Sequence, residues 1–427
     1  MMPAKSWSQP LHSTKYLSIC TSSPPTPGAQ SSTSWPTVRR QIPSSQLSPP
    51  PDDRMLKLTY FKPVKYQIDT HRESMLSHLQ SSSIARRIKI VSFKIHEAVI
   101  KGEESRYRAI FSEWVHQFQL ELCAMWNRGL ESQVMSTHLL NEALELSYLK
   151  TILLSNYDMY PYLRYTTPTF LQTVFSDPTL WPDNTITSVS VAHILSSPRC
   201  ELGNFIVMDT IYAMAYGLPQ HVEYDTSITS IPDDSMNFEW AHGCPTEFQI
   251  ILAQINQCRD RNPNAPDWRD IEHRLITWQS RSNSHHTEWE SWMVVAWLAV
   301  QETWRHTLLA YLYMAVCGAS SDEPRVQFSV SQIFQIAKTI RKPEQPAASI
   351  HLFTQYFIAG ICARTEKHRL LARHKLSDLS ESTHWLIRGT IFVPVLDHLW
   401  LGAGAGGQPV KWSDYMLSRE TVLPVVV

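Results

Sequence analysis

The stretch from Trp289 to Val326, WESWMVVAWLAVQETWRHTLLAYLYMAVCGASSDEPRV, constrains the fold more than any other part of the chain. It is the densest run of Trp, Tyr, Leu, Val and Met, and its length suits one extended helix. At 100° per residue, Trp289, Trp292, Met293, Ala296, Trp297, Val300 and Trp304 share one side. Glu290, Gln301, Glu302, Arg305 and His306 share the other, joined there by Val295, Leu298, Leu309 and Tyr313. A helix that is apolar almost all round belongs in the middle of a domain. A membrane span requires roughly 20 apolar residues, and the polar block Gln301, Glu302, Arg305 and His306 interrupts this run where charge is most expensive in lipid. The pattern therefore predicts a buried helix of a soluble domain. Glu302 precedes Arg305 by three residues and His306 by four, so the three are expected to satisfy one another rather than to carry out chemistry.

The rest of the chain supports a helical architecture around that element. Fifteen Trp among 427 residues supply bulk for a sizeable core, whereas 13 Gly are few for a β-rich or nucleotide-cradling fold. A net charge of -1 gives no global reason to expect nucleic acid or an acidic membrane surface as a partner. Seven cysteines, at 20, 123, 200, 244, 258, 317 and 362, are odd in number, widely spaced and without a Cys-x-x-Cys pair. They form neither a disulfide framework nor a zinc pattern, which points to a reducing compartment.

Residues 1–54 are rich in Pro, Ser and Thr and cannot bury enough apolar surface to fold, so a disordered tail is expected there. Its basic bias resembles a transit peptide, but its prolines break the amphipathic helix such a signal needs. Helical patterns then succeed one another, with an extended piece near Met55 and a basic cluster of Arg86, Arg87, Lys89 and Lys94 read as a solvated face. Residues 157–182, carrying Pro161, Pro168, Pro178 and Pro182, are expected to form a connection. Helices are expected on either side of Pro198, the second closed by Gly217, and another begins near Pro245. No convincing sheet and no repeat of fixed period is found.

Four constellations could carry chemistry, and none yields a catalytic, cofactor, metal or DNA-binding residue. His242 and Cys244 in AHGCP lack a positioning group and an oxyanion site, so Cys244 is expected to pack beneath a helix entrance. Asp233, Asp234 and Asn237 imitate the aspartate-rich motif of terpene synthases, but the region around Asn283, Thr287 and Glu290 misplaces the second set of oxygen ligands. Gly402, Gly404 and Gly407 have dinucleotide-binding spacing, yet Pro409 interrupts the helix start and the acidic partner is missing, leaving a flexible loop. His285 with His286, and His368 with His374, lack the company of a metal site.

Taken in order, FEWAHGCPTEFQIILAQINQCRD, the central helix with LLAYLYMAVCGASSDEPRVQFSVSQI, YFIAGICARTEKHR and VLDHLWLGAGAGGQPVKWSDYM resemble the fungal-specific transcription factor domain, from about Ala109 to the C-terminus. The resemblance implies an all-α fold spanning residues 55–427. It further implies a nuclear, non-catalytic regulator of RNA polymerase II transcription that contacts co-regulators or a homodimer partner, with a small effector in a helical pocket and no membrane contact. Such domains usually follow a binuclear zinc cluster, which needs six closely spaced cysteines. Before Ala109 this chain carries only Cys20, so DNA is expected to be reached indirectly or through a missing domain, with zinc present only if a cysteine cluster is encoded upstream. Two alternatives remain open: a stand-alone helical interaction protein derived from such a factor, and a helical enzyme of terpene-synthase type.

Overall fold

The computed structural model describes residues 59–128, 133–153, 159–181, 188–227, 239–280, 289–341, 350–378 and 388–425. The tail at 1–54, the Asp233, Asp234 and Asn237 motif and the His285 and His286 pair lie outside the described residues. Within them the chain forms sixteen α-helices, and its only strands are two of two residues each. Five helices come first: α1 (Lys65–Ser81), α2 (Ser83–Ile100), α3 (Glu104–Arg128), α4 (Gln133–Leu153) and α5 (Met159–Phe175). A parallel bridge joins β1 (Val189–Ser190) to β2 (Tyr224–Asp225) and encloses α6 (Val191–Ser196) and α7 (Cys200–Tyr216). The remainder are α8 (Glu239–His242), α9 (Thr246–Arg259), α10 (Trp268–Thr277), α11 (Ser291–Ala315), α12 (Pro324–Ala337), α13 (Phe353–Ile361), α14 (Glu366–Ser377), α15 (Val393–Leu401) and α16 (Trp412–Val422).

Helix boundaries follow local chemistry. Asp267 accepts the Arg269 amide at 3.0 Å and starts α10, while Thr365 accepts the His368 amide at 3.3 Å and starts α14. Helix α7 stops at Gly217, whose φ of 62° a side chain would resist and whose Cβ position is already taken by Met416.

Two expectations fail here. The Trp289–Val326 stretch is not one helix, because α11 ends at Ala315 and the chain turns at Gly318, with φ of 69°, before Pro324 opens α12. The proline-marked run forms α5 rather than a connection. Pro161 stands in the first turn, where no intrahelical N–H is required. Pro168 lies inside the helix, a cost of about 3 kcal/mol. Burial of Leu163, Phe170 and Val174, each at 1% exposure or less, offsets it at roughly 1.5–3 kcal/mol per side chain.

Helices α2, α3 and α4 share a small core of Ile88, Ile95, Val115, Phe118, Leu146 and Leu149. A far larger core gathers α5, α7, α9, α11, α12, α13, α15 and α16. Seventeen of the 25 residues of α11 are buried, and the helix packs against α9, α10, α12 and α13, so its central placement holds. Its first half keeps an outward stripe, with Val295 at 56% and Leu298 at 38% exposure.

Candidate functional site

Beneath α11 lies a buried polar clasp built on one carboxylate. Asp209, fully enclosed in α7, accepts the His221 amide at 3.0 Å, the His221 imidazole Nδ1 at 2.8 Å and the Tyr224 hydroxyl at 2.9 Å. These donors hold the segment 218–226 against the helix. Helix α9 grips the same segment from the other side, with Gln254 and Gln257 donating to the carbonyls of Thr226 and Tyr224 at 3.0 and 2.9 Å. Tying an irregular segment by its backbone in this way meets the requirement that buried peptide groups be paired.

Three side chains extend the clasp to the central helix. Arg259 donates to the carbonyls of Ala213 and Leu218 at 2.8 and 2.6 Å, closing the C-terminal end of α7, and to the Tyr311 hydroxyl of α11 at 2.8 Å. Tyr311 in turn donates its hydroxyl hydrogen bond to Asn256 Oδ1 at 2.7 Å, and Asn256 donates to the Thr210 carbonyl at 2.9 Å. Burial, reinforced by Asp209, holds Tyr224 far above the usual phenol range. Burial likewise pushes Tyr311 up to about 12, so both hydroxyls stay protonated and keep donating.

The arrangement suits cohesion better than catalysis. The carboxylate faces Nδ1 of the imidazole, and the other ring nitrogen, Nε2, has no hydrogen-bond partner. A carboxylate–imidazole pair activates a nucleophile only when a hydroxyl or thiol bonds to Nε2. The clasp was not foreseen, although a lone Asp inside the apolar run FIVMDTIYAMAY is the signal that betrays it: a carboxylate cannot be buried there unpaired.

Residues singled out by sequence are not brought together into one site. Glu302 and Arg305 pair at 2.6 Å, but His306 does not join them, contrary to expectation. Its ring lies edge-on to Phe328 at 5.6 Å and its Nδ1 has no partner; burial, helped by the Arg305 charge, lowers its pKa to about 4. Gln301 accepts from Ser280 instead. Cys244 is buried and turned to its neighbour's carbonyl, and burial raises its pKa well above the thiol range, which suits packing and not nucleophilic attack. The Gly402 to Gly407 loop follows a helix rather than a strand. It is pinned rather than flexible: Gly404 and Gly407 accept from the guanidinium groups of Arg369 and Arg364 at 2.6 and 3.1 Å, and a Cβ on Gly404 would crowd Arg369.

The basic cluster on α2 is also not a single solvated face. Arg87 pairs with Glu121, Lys94 lies over the Trp114 ring at 5.9 Å, and Lys89 is drawn inward to Glu145 at 3.1 Å. Burial opposes the charge on Lys89, and the facing carboxylate more than restores it. His368 stacks on Phe334 at 4.5 Å, while His374 is exposed one face away on α14. A small niche of about 10 Å³ among α4, α5 and α7 is lined by Leu144, Tyr148, Leu163, Glu201, Phe205 and Met208. Among the described residues no three His, Cys, Asp or Glu side chains converge for a metal, and no helix is long and apolar enough to cross a membrane.

No curated protein and no solved structure matches the chain. The fungal specific transcription factor domain does match, over residues 190–423, more than half of the 427. The match opens at Ser190, the cap of α6, and closes at Leu423, just past α16; it takes in most of the larger core, while α5, which also packs there, and α1 to α4 lie outside it. It starts later than Ala109, the start expected from the sequence motifs. The order of motifs, the all-α core and this match together place the chain in the fungal specific transcription factor domain family, a family of transcription regulators.

Proposed function

We propose that this chain is the regulatory part of a fungal transcription factor, acting in the nucleus on RNA polymerase II transcription through contacts with co-regulators or a second copy of itself. The observation that carries the reading is the family match across α6 to α16. Protein partners fit the surface better than a small effector does. The niche lined by Leu144, Leu163 and Phe205 holds about 10 Å³, the room of roughly one water. The outward stripe of Val295 and Leu298 on α11 and the exposed Phe328 on α12 offer apolar contact on the domain's own central hairpin. DNA is then reached through another domain or another protein.

Fusing the full chain to an unrelated DNA-binding domain, and measuring a reporter carrying that domain's site, tests the reading. A change in reporter output of several-fold in either direction is expected, with nuclear accumulation of a fluorescent fusion. An expressed, folded fusion that leaves the reporter unchanged and stays outside the nucleus would sink it.

A further inference from the structure

Cys258 and Cys317 stand at the C-terminal ends of α9 and α11, at the same end of this helix pair. The contacts between these helices advance in the same direction along both: Trp304 donates to the Gly243 carbonyl just before α9 begins, and Tyr311 to Asn256 near its end. Cys258 stands two residues beyond Asn256, and Cys317 two residues beyond the last residue of α11. Both cysteines are free and half-buried at the rim of the larger core. Both also border the start of α10. The Cys258 sulfur lies 3.2 Å from the Pro266 carbonyl, and Cys317 sits within the field of Arg269 and Glu272. Cys317 occupies the turn leading into Gly318, with its amide donating to the Leu312 carbonyl of α11 at 3.1 Å.

We propose that Cys258 and Cys317 are a dithiol modification site, which a small-molecule disulfide converts to an intramolecular disulfide joining α9 to α11. The thiolate of one cysteine attacks the small disulfide, forming a mixed disulfide and expelling one small thiolate. The second cysteine then attacks the protein sulfur of that bond and expels the other. Two electrons pass from the protein to the reagent, and the two cysteine protons end on the two released thiols.

Burial pushes both thiols up to about 11, with the Asp267 carboxylate and the Cys317 sulfur adding to the rise at Cys258. The site is therefore slow at neutral pH, since only the thiolate reacts. Oxidation rates should climb about tenfold per pH unit between neutrality and the thiol pKa.

The test treats the reduced full chain with oxidised glutathione under native conditions, followed by non-reducing digestion and mass spectrometry. The expected product is a cross-linked pair of peptides containing Cys258 and Cys317, two hydrogens lighter than their sum. It should be absent in Cys258→Ser and in Cys317→Ser, should return to separate peptides with dithiothreitol, and should form about tenfold faster at each higher pH unit. Phenylarsine oxide, which bridges neighbouring thiols, should block it in a one-to-one complex. Glutathione adducts on the two cysteines without the cross-link, or a rate indifferent to pH, would overturn the proposal. Melting curves of the serine variants, with Cys→Ala versions as replacements, confirm that the chains compared are folded.

Discussion

Replacing Arg259 with Met tests whether the clasp holds the larger core together. Met keeps much of the apolar stem while removing the guanidinium, so the loss is mainly electrostatic. The change deletes donors to the Ala213 and Leu218 carbonyls and to the Tyr311 hydroxyl, at 2.6–2.8 Å. A hydrogen bond from a charged group contributes about 1.5–3 kcal/mol, and a buried acceptor left alone costs about 1–3 kcal/mol. Simple addition would exceed what single substitutions do, because the three bonds share one group and one neighbourhood. A net loss of about 3–5 kcal/mol is expected, the range for removing one partner of a buried charged network. That is at least a fifth of the roughly 5–15 kcal/mol a domain has available. Urea unfolding followed by circular dichroism should show a lower midpoint with an unchanged slope. Arg259→Lys should fall in between, since a point charge cannot span three acceptors held by a planar fork. A loss below about 1 kcal/mol, the size of a surface ion pair, would refute the idea that the clasp is structural.

Glu145→Ala should cost about 3–5 kcal/mol by stranding Lys89 in the interior, whereas Glu302→Ala, which breaks a half-exposed pair, should cost under about 1 kcal/mol; equal losses in chemical denaturation would contradict the burial argument. Gln355 is fully buried with both ends of its amide unpartnered, so Gln355→Leu is expected to raise stability by about 1–3 kcal/mol, and a lower melting temperature would show that the amide has a role unseen here. His242 and His306 have pKa values lowered to about 4, His242 by burial and His306 by burial together with the Arg305 charge, against about 6.5 unfolded. The unfolded chain thus binds more protons between these values. Stability present above pH 6.5 is lost as pH falls toward 4, by about 2 kcal/mol per histidine at pH 5. Thermal melts of wild type and His306→Gln at pH 7 and 5 should show a smaller acid loss in the variant.

What the sequence reveals about this protein depends on whether the cause is local. Asp267 and Thr365 announce helices α10 and α14, and Gly217 announces the end of α7, because each acts within its own turn. The depth of α11 is equally legible, since Trp297, Val300 and Trp304 repeat at helical spacing. Long-range partners decide the rest. Pro168 reads as a breaker until the surrounding core, through Leu163 and Phe170, outweighs its local penalty. His306 reads as a member of the polar belt, yet its ring packs in a T-shaped arrangement with Phe328 of the next helix. Lys89 reads as solvated until Glu145, fifty-six residues on, reaches it. The clasp is the extreme case, assembled from α7, its following segment, α9 and α11. None of its members stands out by type, but Asp209 inside an apolar helix required partners from somewhere. The clasp turns its donors and acceptors inward, whereas Val295, Leu298 and Phe328 stay exposed. Contacts that regulate transcription are therefore to be sought on the outward stripe of α11 and α12 rather than within the core.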